Sequence, residues 1–358
     1  MRLAMGFVIL FSFIMICRMD VWAVEKSKIA PEEQLIAWQD LKNPVLEYPD
    51  WSIKDCCFTY RKGVFYLFFS AFYDDDGVMR SHIAEVSTRD FRTSSKPILN
   101  FSGKEEGYIG MCSPDVAKIG DTYYLTFNSW GYNKLRPNAL FYMKSKDLTN
   151  WGPRRPLAAN LTKGWQVIDV AVQRHRDRFY LIFQCEDGKH PRIATAKKMD
   201  GPWSFIGEDG HMRLLLPDGT ESRHTHENFQ FILIDGHWRL VTSDYMPHHP
   251  HLYTMRGTGD KPEDWLVWEN DRRLEIPAEE WNTIDLDNAA ALTDLRKYDG
   301  YFYLLYAGKS EFRNSDFVGP GTHKPWARGW NRLGLARSND LLHWETPGAA
   351  GARTKPIE

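Results

Sequence analysis

The chain has 358 residues, 43% hydrophobic and 14% aromatic, which is enough apolar surface for a large core and too much for a disordered chain. Its formal charge of −2 gives no reason to expect nucleic acid or an anionic membrane as partner. Length alone would suggest two or three domains, but internal repetition argues for one.

The first residues read as an export signal. Arg2 precedes an apolar run from Leu3 to Cys17, followed by a polar stretch in which Val21 and Ala23 sit at the −3 and −1 positions of a signal-peptidase site. The run is too short to span a bilayer comfortably. Ile16, not a small residue, precedes Cys17, which argues against a lipoprotein anchor. The expected layout is a signal peptide over 1–23, an N-terminal segment over 24–45, a folded body over 46–346 and a tail over 347–358. A secreted or periplasmic location follows, with no membrane contact after cleavage. Pro31 near the start of the stretch from Ala30 to Leu41 predicts a short helix, packed on the outside of the body.

From residue 46 onward one pattern recurs. An apolar segment carrying a single acid leads through a polar turn into an aromatic and β-branched run such as Phe65–Phe69, Tyr123–Phe127 or Phe179–Phe183. The acids Asp55, Asp115, Asp169 and Glu227 lie 60, 54 and 58 residues apart, and a fifth copy runs from Ala290 to Tyr306. Each copy ends in a second signature, a strand followed by a polar turn, at 83–91, 142–151, 193–203 and 334–344. The fourth is degenerate, with Leu252–Arg256 and a later Trp265. Periods somewhat above those of four-stranded propeller blades, stretched by loops, predict an all-β, five-bladed β-propeller with antiparallel blades around a central funnel. The blades are expected near 46–103, 104–160, 161–217, 218–278 and 279–346. A single blade cannot bury both faces of its sheet, so the ring should be one domain.

Register carries the chemical argument. Asp55 lies 10 residues before Phe65, Asp169 lies 10 before Phe179, and Glu227 lies 11 before Trp238. In the second copy Ser113 holds the equivalent position, with Asp115 two residues further on the same face. Innermost propeller strands line the axis, so these side chains should meet around one funnel. Carboxylates brought together in apolar strands are costly unless solvated, hydrogen-bonded or useful. Cys56, Cys57, Cys112 and Cys185 have no metal-ligand spacing and are expected to be small buried residues. Adjacency allows at most one of Cys56 and Cys57 to face Cys112.

On these residues the sequence resembles glycoside hydrolase family 43, whose relatives include the five-bladed levanase and sucrase enzymes. The resemblance covers nearly all of 46–346. Ser113-Pro114-Asp115-Val116 is similar to the family's Ala-Pro-Asp-Val segment, Ile168-Asp169 to its Ile-Asp-Pro, and Glu227 to its Glu-Gly-Pro or Glu-Ala-Pro. It implies that Asp55 is the general base, Asp169 the modulator of the acid's pKa and Glu227 the general acid of an inverting hydrolysis. The departures are Cys56 and Val170 where proline is usual, and Glu227-Asn228-Phe229 for the acid motif.

Around that trio, Trp51, Phe72, Trp130 and Tyr245 are candidates for a sugar-stacking platform, with Ser113 and Asp115 lining the funnel within reach of substrate. Arg328 and Arg332 could bind sugar hydroxyls, and His323 could approach a central ion, as in some arabinan-cleaving relatives. His226 is a candidate proton donor, as in relatives acting on agar-derived sugars, or else a packing residue between strands. The histidine-rich segment 246–251 reads as a surface loop. The resemblance implies no required cofactor, room for a structural calcium ion at the axis, and an oligosaccharide or polysaccharide partner. The expected activity is that of an exported α-L-arabinofuranosidase or β-xylosidase on plant or algal polysaccharide fragments. The alternatives are an anhydrogalactosidase-like enzyme on agar-type galactans and a carbohydrate-binding propeller without catalysis.

Overall fold

The computed structural model describes residues 35–131, 137–185, 190–245, 249–310, 312–313 and 328–348, with backbone only at 284–289, 312–313 and 328–329. At 52% strand and 7% helix the described residues are nearly all-β.

The first sequence unit folds as β1 (Ser52–Arg61), β2 (Val64–Asp75), β3 (Val78–Thr88) and β4 (Leu99–Phe101). The second gives β5 (Gly110–Ile119), β6 (Thr122–Trp130), β7 (Leu140–Ser145) and β8 (Arg155–Pro156). The third gives β9 (Val167–His175), β10 (Arg178–Cys185), β11 (Arg192–Ala196) and β12 (Ser204–Phe205). Next come β13 (Arg213–Leu214), β14 (His226–Ile234), β15 (His237–Asp244), β16 (Pro250–Met255) and β17 (Val267–Arg273). The last unit holds β18 (Ile284–Asp294), β19 (Phe302–Lys309), β20 (Phe312–Arg313), β21 (Arg328–Gly329) and β22 (Arg332–Ser338). Within each unit the main strands run as an antiparallel meander; β13 lies parallel to β17 at the outer edge of the fourth sheet, and β20 and β21 pair only with each other. A single parallel bridge, Ser81↔Gly110, joins the first two sheets. A Cβ on Gly110 would stand 2.7 Å from the Ser81 backbone, so only glycine allows that approach.

The first long strand of each unit is the inner one. Strand β1 contacts β5, β5 contacts β9, β9 contacts β14, β14 contacts β18, and β18 returns to β1. The ring closes through the N-terminal segment. Leu333 of β22 exchanges backbone hydrogen bonds with residues 45 and 46, and the Asn43 side chain bridges Leu335 N–H and C=O. The predicted helix at 30–41 is not what forms in its described part. Trp38–Asp40 make a single 3₁₀ turn, and Trp38 is buried against Tyr303 and the Arg337 guanidinium.

The second signature has a local cause. In Thr88–Phe91, Ser145–Leu148 and Ser338–Leu341 the hydroxyl accepts from the following turn, while the aspartate (Asp90, Asp147 or Asp340) accepts the next two backbone N–H groups. The tryptophans that follow pack between sheets. Trp151 donates to Glu85, Trp203 to Met199 C=O and Trp265 to Gly259 C=O, while Trp265 stacks on Tyr180 at 3.8 Å. Trp203 and Trp265 are therefore buried with their N–H groups satisfied, the condition for tryptophan in a core.

Candidate functional site

Four of the inner strands carry the same irregularity. Pairing to the second strand slips between Lys54 and Cys57, Cys112 and Asp115, Ile168 and Ala171, and Glu227 and Gln230. At each slip one non-glycine residue is left-handed: Asp55 (φ 51°), Ser113 (55°), Asp169 (54°) and Asn228 (53°). Such a conformation costs about 1–2 kcal/mol per residue, and Asp and Asn tolerate it best among residues with a Cβ. A bulge re-aims the side chain it carries, here toward the ring axis. The residue equivalent to Asp55 and Asp169 in the fourth unit is therefore Asn228, and Glu227 stands one position earlier. The matched register expected for all three acids holds for two of them.

The left-handed residues are fastened from behind. Ser113 N–H donates to Ser70 Oγ at 2.8 Å and Asp169 N–H to Asn128 Oδ1 at 2.9 Å. Ser70 and Asn128 sit on the second strands opposite Lys54 and Cys112, and Gln184 and Ser243 hold the same register opposite Ile168 and Glu227. A buried N–H left without such an acceptor would cost about 1–3 kcal/mol.

A cavity of about 20 Å³, room for roughly one water molecule, lies where the bulges meet. All five inner strands line it, among them Asp55, Ser113, Asp115, Asp169, Asn228 and Gln230. Asp55 and Asp169 are 4% and 5% exposed. Burial, and then the charge of Asp55, push the Asp169 carboxyl up to about 6, against hydrogen bonds from the Ser113 hydroxyl and the Asn228 N–H. That N–H belongs to the peptide joining Glu227 to Asn228. Glu227 itself is half-buried, and its C=O accepts from Thr242 Oγ1 at 2.7 Å. Lys54 Nζ contacts Asp55 Oδ1 at 3.1 Å and lies over the Phe72 ring. Asp115 is held by the Val116 and Val172 N–H groups, and burial pushes it up to about 8.

Of the remaining candidates, Phe72 is buried at 1% against Met79, Cys112, Trp330 and the edge of Trp130, a packing position instead of an open platform. Trp51 is half-buried against His82 and Tyr48, and Tyr245 is half-exposed. His226 is buried at 1%, accepting or donating at 3.1 Å with Ser222 Oγ. Burial lowers it to about 3, so it is neutral and packs between strands. The side chain of Arg328, and all of His323, lie outside the described residues. His251 corrects the surface-loop reading of 246–251: it lies buried on β16, between Asp271 at 2.7 Å and Asp244 at 3.5 Å. Desolvation alone would lower it, but the two carboxylates outweigh burial and raise it to about 9. The four cysteines are buried free thiols. Lys54, Asn128 and Asn228 were missed in the sequence. The Ser, Asn, Gln and Ser that end the apolar runs at 70, 128, 184 and 243 were the available signal.

No family model matches the chain. Over 254 residues, 64% of its length, the chain is 25% identical to a xylosidase/arabinosidase of Butyrivibrio fibrisolvens, and it spans about 40% of that relative. Its fold is similar to that of a family 43 β-xylosidase/α-arabinofuranosidase from a compost metagenome, crystallised with xylotriose in a calcium-free form. There the TM-score is 0.55 at 17% identity, covering 85% of this chain and 98% of that one. It is also similar to a GH43_1 enzyme of Xanthomonas citri complexed with xylotriose, with a TM-score of 0.54 at 14% identity, covering 86% and 94%. The ring of β-sheets described above is thus the fold of glycoside hydrolase family 43 enzymes.

Proposed function

We propose that the chain is an inverting glycoside hydrolase on a five-bladed β-propeller, releasing xylosyl or α-L-arabinofuranosyl units from plant polysaccharide fragments. One observation carries the reading. Asp55 and Asp169 occupy equivalent left-handed bulges on β1 and β9 around one cavity, and Asp169 is hydrogen-bonded to the peptide that follows Glu227. The closed circuit of five inner strands supports five blades, and the activities named for the similar proteins support the choice of sugars.

In this reading Asp55 is the base. Its carboxylate, short and paired with Lys54, takes a proton from the water that attacks the anomeric carbon. Glu227, longer and less buried, delivers a proton to the departing glycosidic oxygen. Inversion requires about 6.5–9.5 Å between the two carboxyls, to admit that water. Asp169, raised to about 6 beside Asp55, would set the acid's proton affinity through like-charge repulsion. Among the described residues the axial lining mixes three carboxylates, two amides and a hydroxyl with thiols and apolar side chains. Export is part of the same proposal, and the protein recovered from culture medium should begin at Val24.

The test is to incubate the purified chain with xylotriose and with aryl β-xylosides and α-L-arabinofuranosides, following products by NMR. Release of the α-anomer first from a β-xyloside is expected. Sugar binding without release would leave a carbohydrate-binding module, and release of the β-anomer first would remove the inverting mechanism.

A further inference from the structure

We propose that His190, His211 and Glu221 form a binding site for a divalent transition-metal ion, zinc by its ligand chemistry, between the third and fourth sheets. None of the three lines the axial cavity, and the inference stands whether or not the chain is a hydrolase.

The site is assembled from three separate segments. His190 precedes β11, His211 forms an isolated bridge with Arg192 just before β13, and Glu221 forms another with Leu215 just after it. One ligand atom from each residue can be chosen so that all lie within 4.8 Å of one another. Glu221 Oε1 faces both rings, 2.8 Å from His211 Nε2 and 3.6 Å from His190 Nδ1. The imidazoles stack with centroids 4.3 Å apart. The other carboxylate oxygen, Oε2, accepts from Arg213 Nε at 3.0 Å, and the His211 backbone N–H donates to Asp209 Oδ1 at 3.0 Å. The Arg213 contact orients the Glu221 ligand from outside, as outer groups do in metal centres.

Two imidazoles and one carboxylate are a zinc donor set, with a fourth, tetrahedral position left for water. Calcium and magnesium prefer all-oxygen shells and are poorly served by two nitrogens. All three residues are partly exposed, so an ion has a route in. Position gives the site a consequence. Gln184 of β10 pairs with Ile168 beside Asp169, and His190 stands six residues later in the chain. Glu221 stands six residues before Glu227. A bound ion would tie the residue before β11 to the segments on either side of β13.

The full chain, freed of metal by chelation and dialysis, is titrated with zinc chloride by calorimetry at pH 7.5, with calcium and magnesium chlorides as controls. One zinc per chain is expected, with a rise in Tm and loss of binding as pH falls through the histidine range near 6. His211→Ala and Glu221→Gln should each weaken binding by about tenfold or more, since even outer-shell losses cost that much. Their metal-free circular dichroism and Tm should match the parent. Zinc binding of unchanged affinity in both variants would place the ion elsewhere, and absence of binding at pH 7.5 would end the proposal.

Discussion

The first and third units place an aspartate on the left-handed residue of the inner strand. The fourth places asparagine there and its acid one residue earlier, while the second places its acid two residues later. One backbone device therefore presents carboxyls at three offsets, with different surroundings. On the bulge, Asp55 and Asp169 reach the axis beside donors: Lys54 for one, Ser113 and the Asn228 N–H for the other. Before the bulge, Glu227 is half-buried. After it, Asp115 lines the same cavity, held by the Val116 and Val172 N–H groups, and burial pushes its carboxyl up to about 8. Offset from the bulge, more than residue type, separates an acid that can meet substrate from one that ties strands together.

The strongest way to break this comparison is to remove the two acids assigned to chemistry. Asp55→Asn and Glu227→Gln should each lower kcat by about 10²–10⁴-fold, the range for a general acid or base, while Tm stays close to the parent. The two should then diverge with leaving group. Glu227→Gln should recover much of its loss on an aryl glycoside whose phenol departs without a proton, and Asp55→Asn should not. Equal losses on good and poor leaving groups would deny Glu227 its place as acid.

The repeat, the strand composition and the funnel candidates were legible because alternation, aromatic runs and turn residues are local properties of sequence. The offset of Glu227 was legible too, as a count of 11 against 10 before the aromatic pair, but its meaning was not. A left-handed bulge residue has no unique code: Asp, Ser, Asp and Asn fill it here, and only the pairing slip shows that they are equivalent. The helix read at 30–41 failed in its described part because Trp38 gains more by packing on Tyr303 and Arg337 than by continuing a helix. His190, His211 and Glu221 are 21 and 10 residues apart, and topology alone brings them together.

A second test sets Asp115 against Asp169. A carboxyl raised by burial binds its proton more tightly folded than unfolded, so it stabilises the fold least at high pH. Asp115's contribution declines as pH rises from 3.8 to about 8. Asp115→Asn keeps a neutral group of the same shape and should leave turnover at pH 7 nearly unchanged. Unfolding free energy at pH 9 should rise by an amount on the order of 1–3 kcal/mol relative to the parent, measured by urea titration at pH 6 and 9. Loss of activity comparable to that of Asp55→Asn would give Asp115 a part in the chemistry.

The smallest effect probes the bulge itself. Asn228 is left-handed at φ 53°, a conformation asparagine tolerates, glycine enters freely and β-branched residues resist. Asn228→Gly should change stability by less than about 1 kcal/mol and leave activity intact, since the N–H that holds Asp169 belongs to the backbone. Asn228→Val should cost about 1–3 kcal/mol in urea unfolding. It should also reduce turnover, because a bulge forced toward extended geometry withdraws that N–H from Asp169 and shifts Glu227 with it. If valine is tolerated as well as glycine, the bulge is not what fixes the separation between the two acids, and the contrast among the four inner strands loses its mechanical basis.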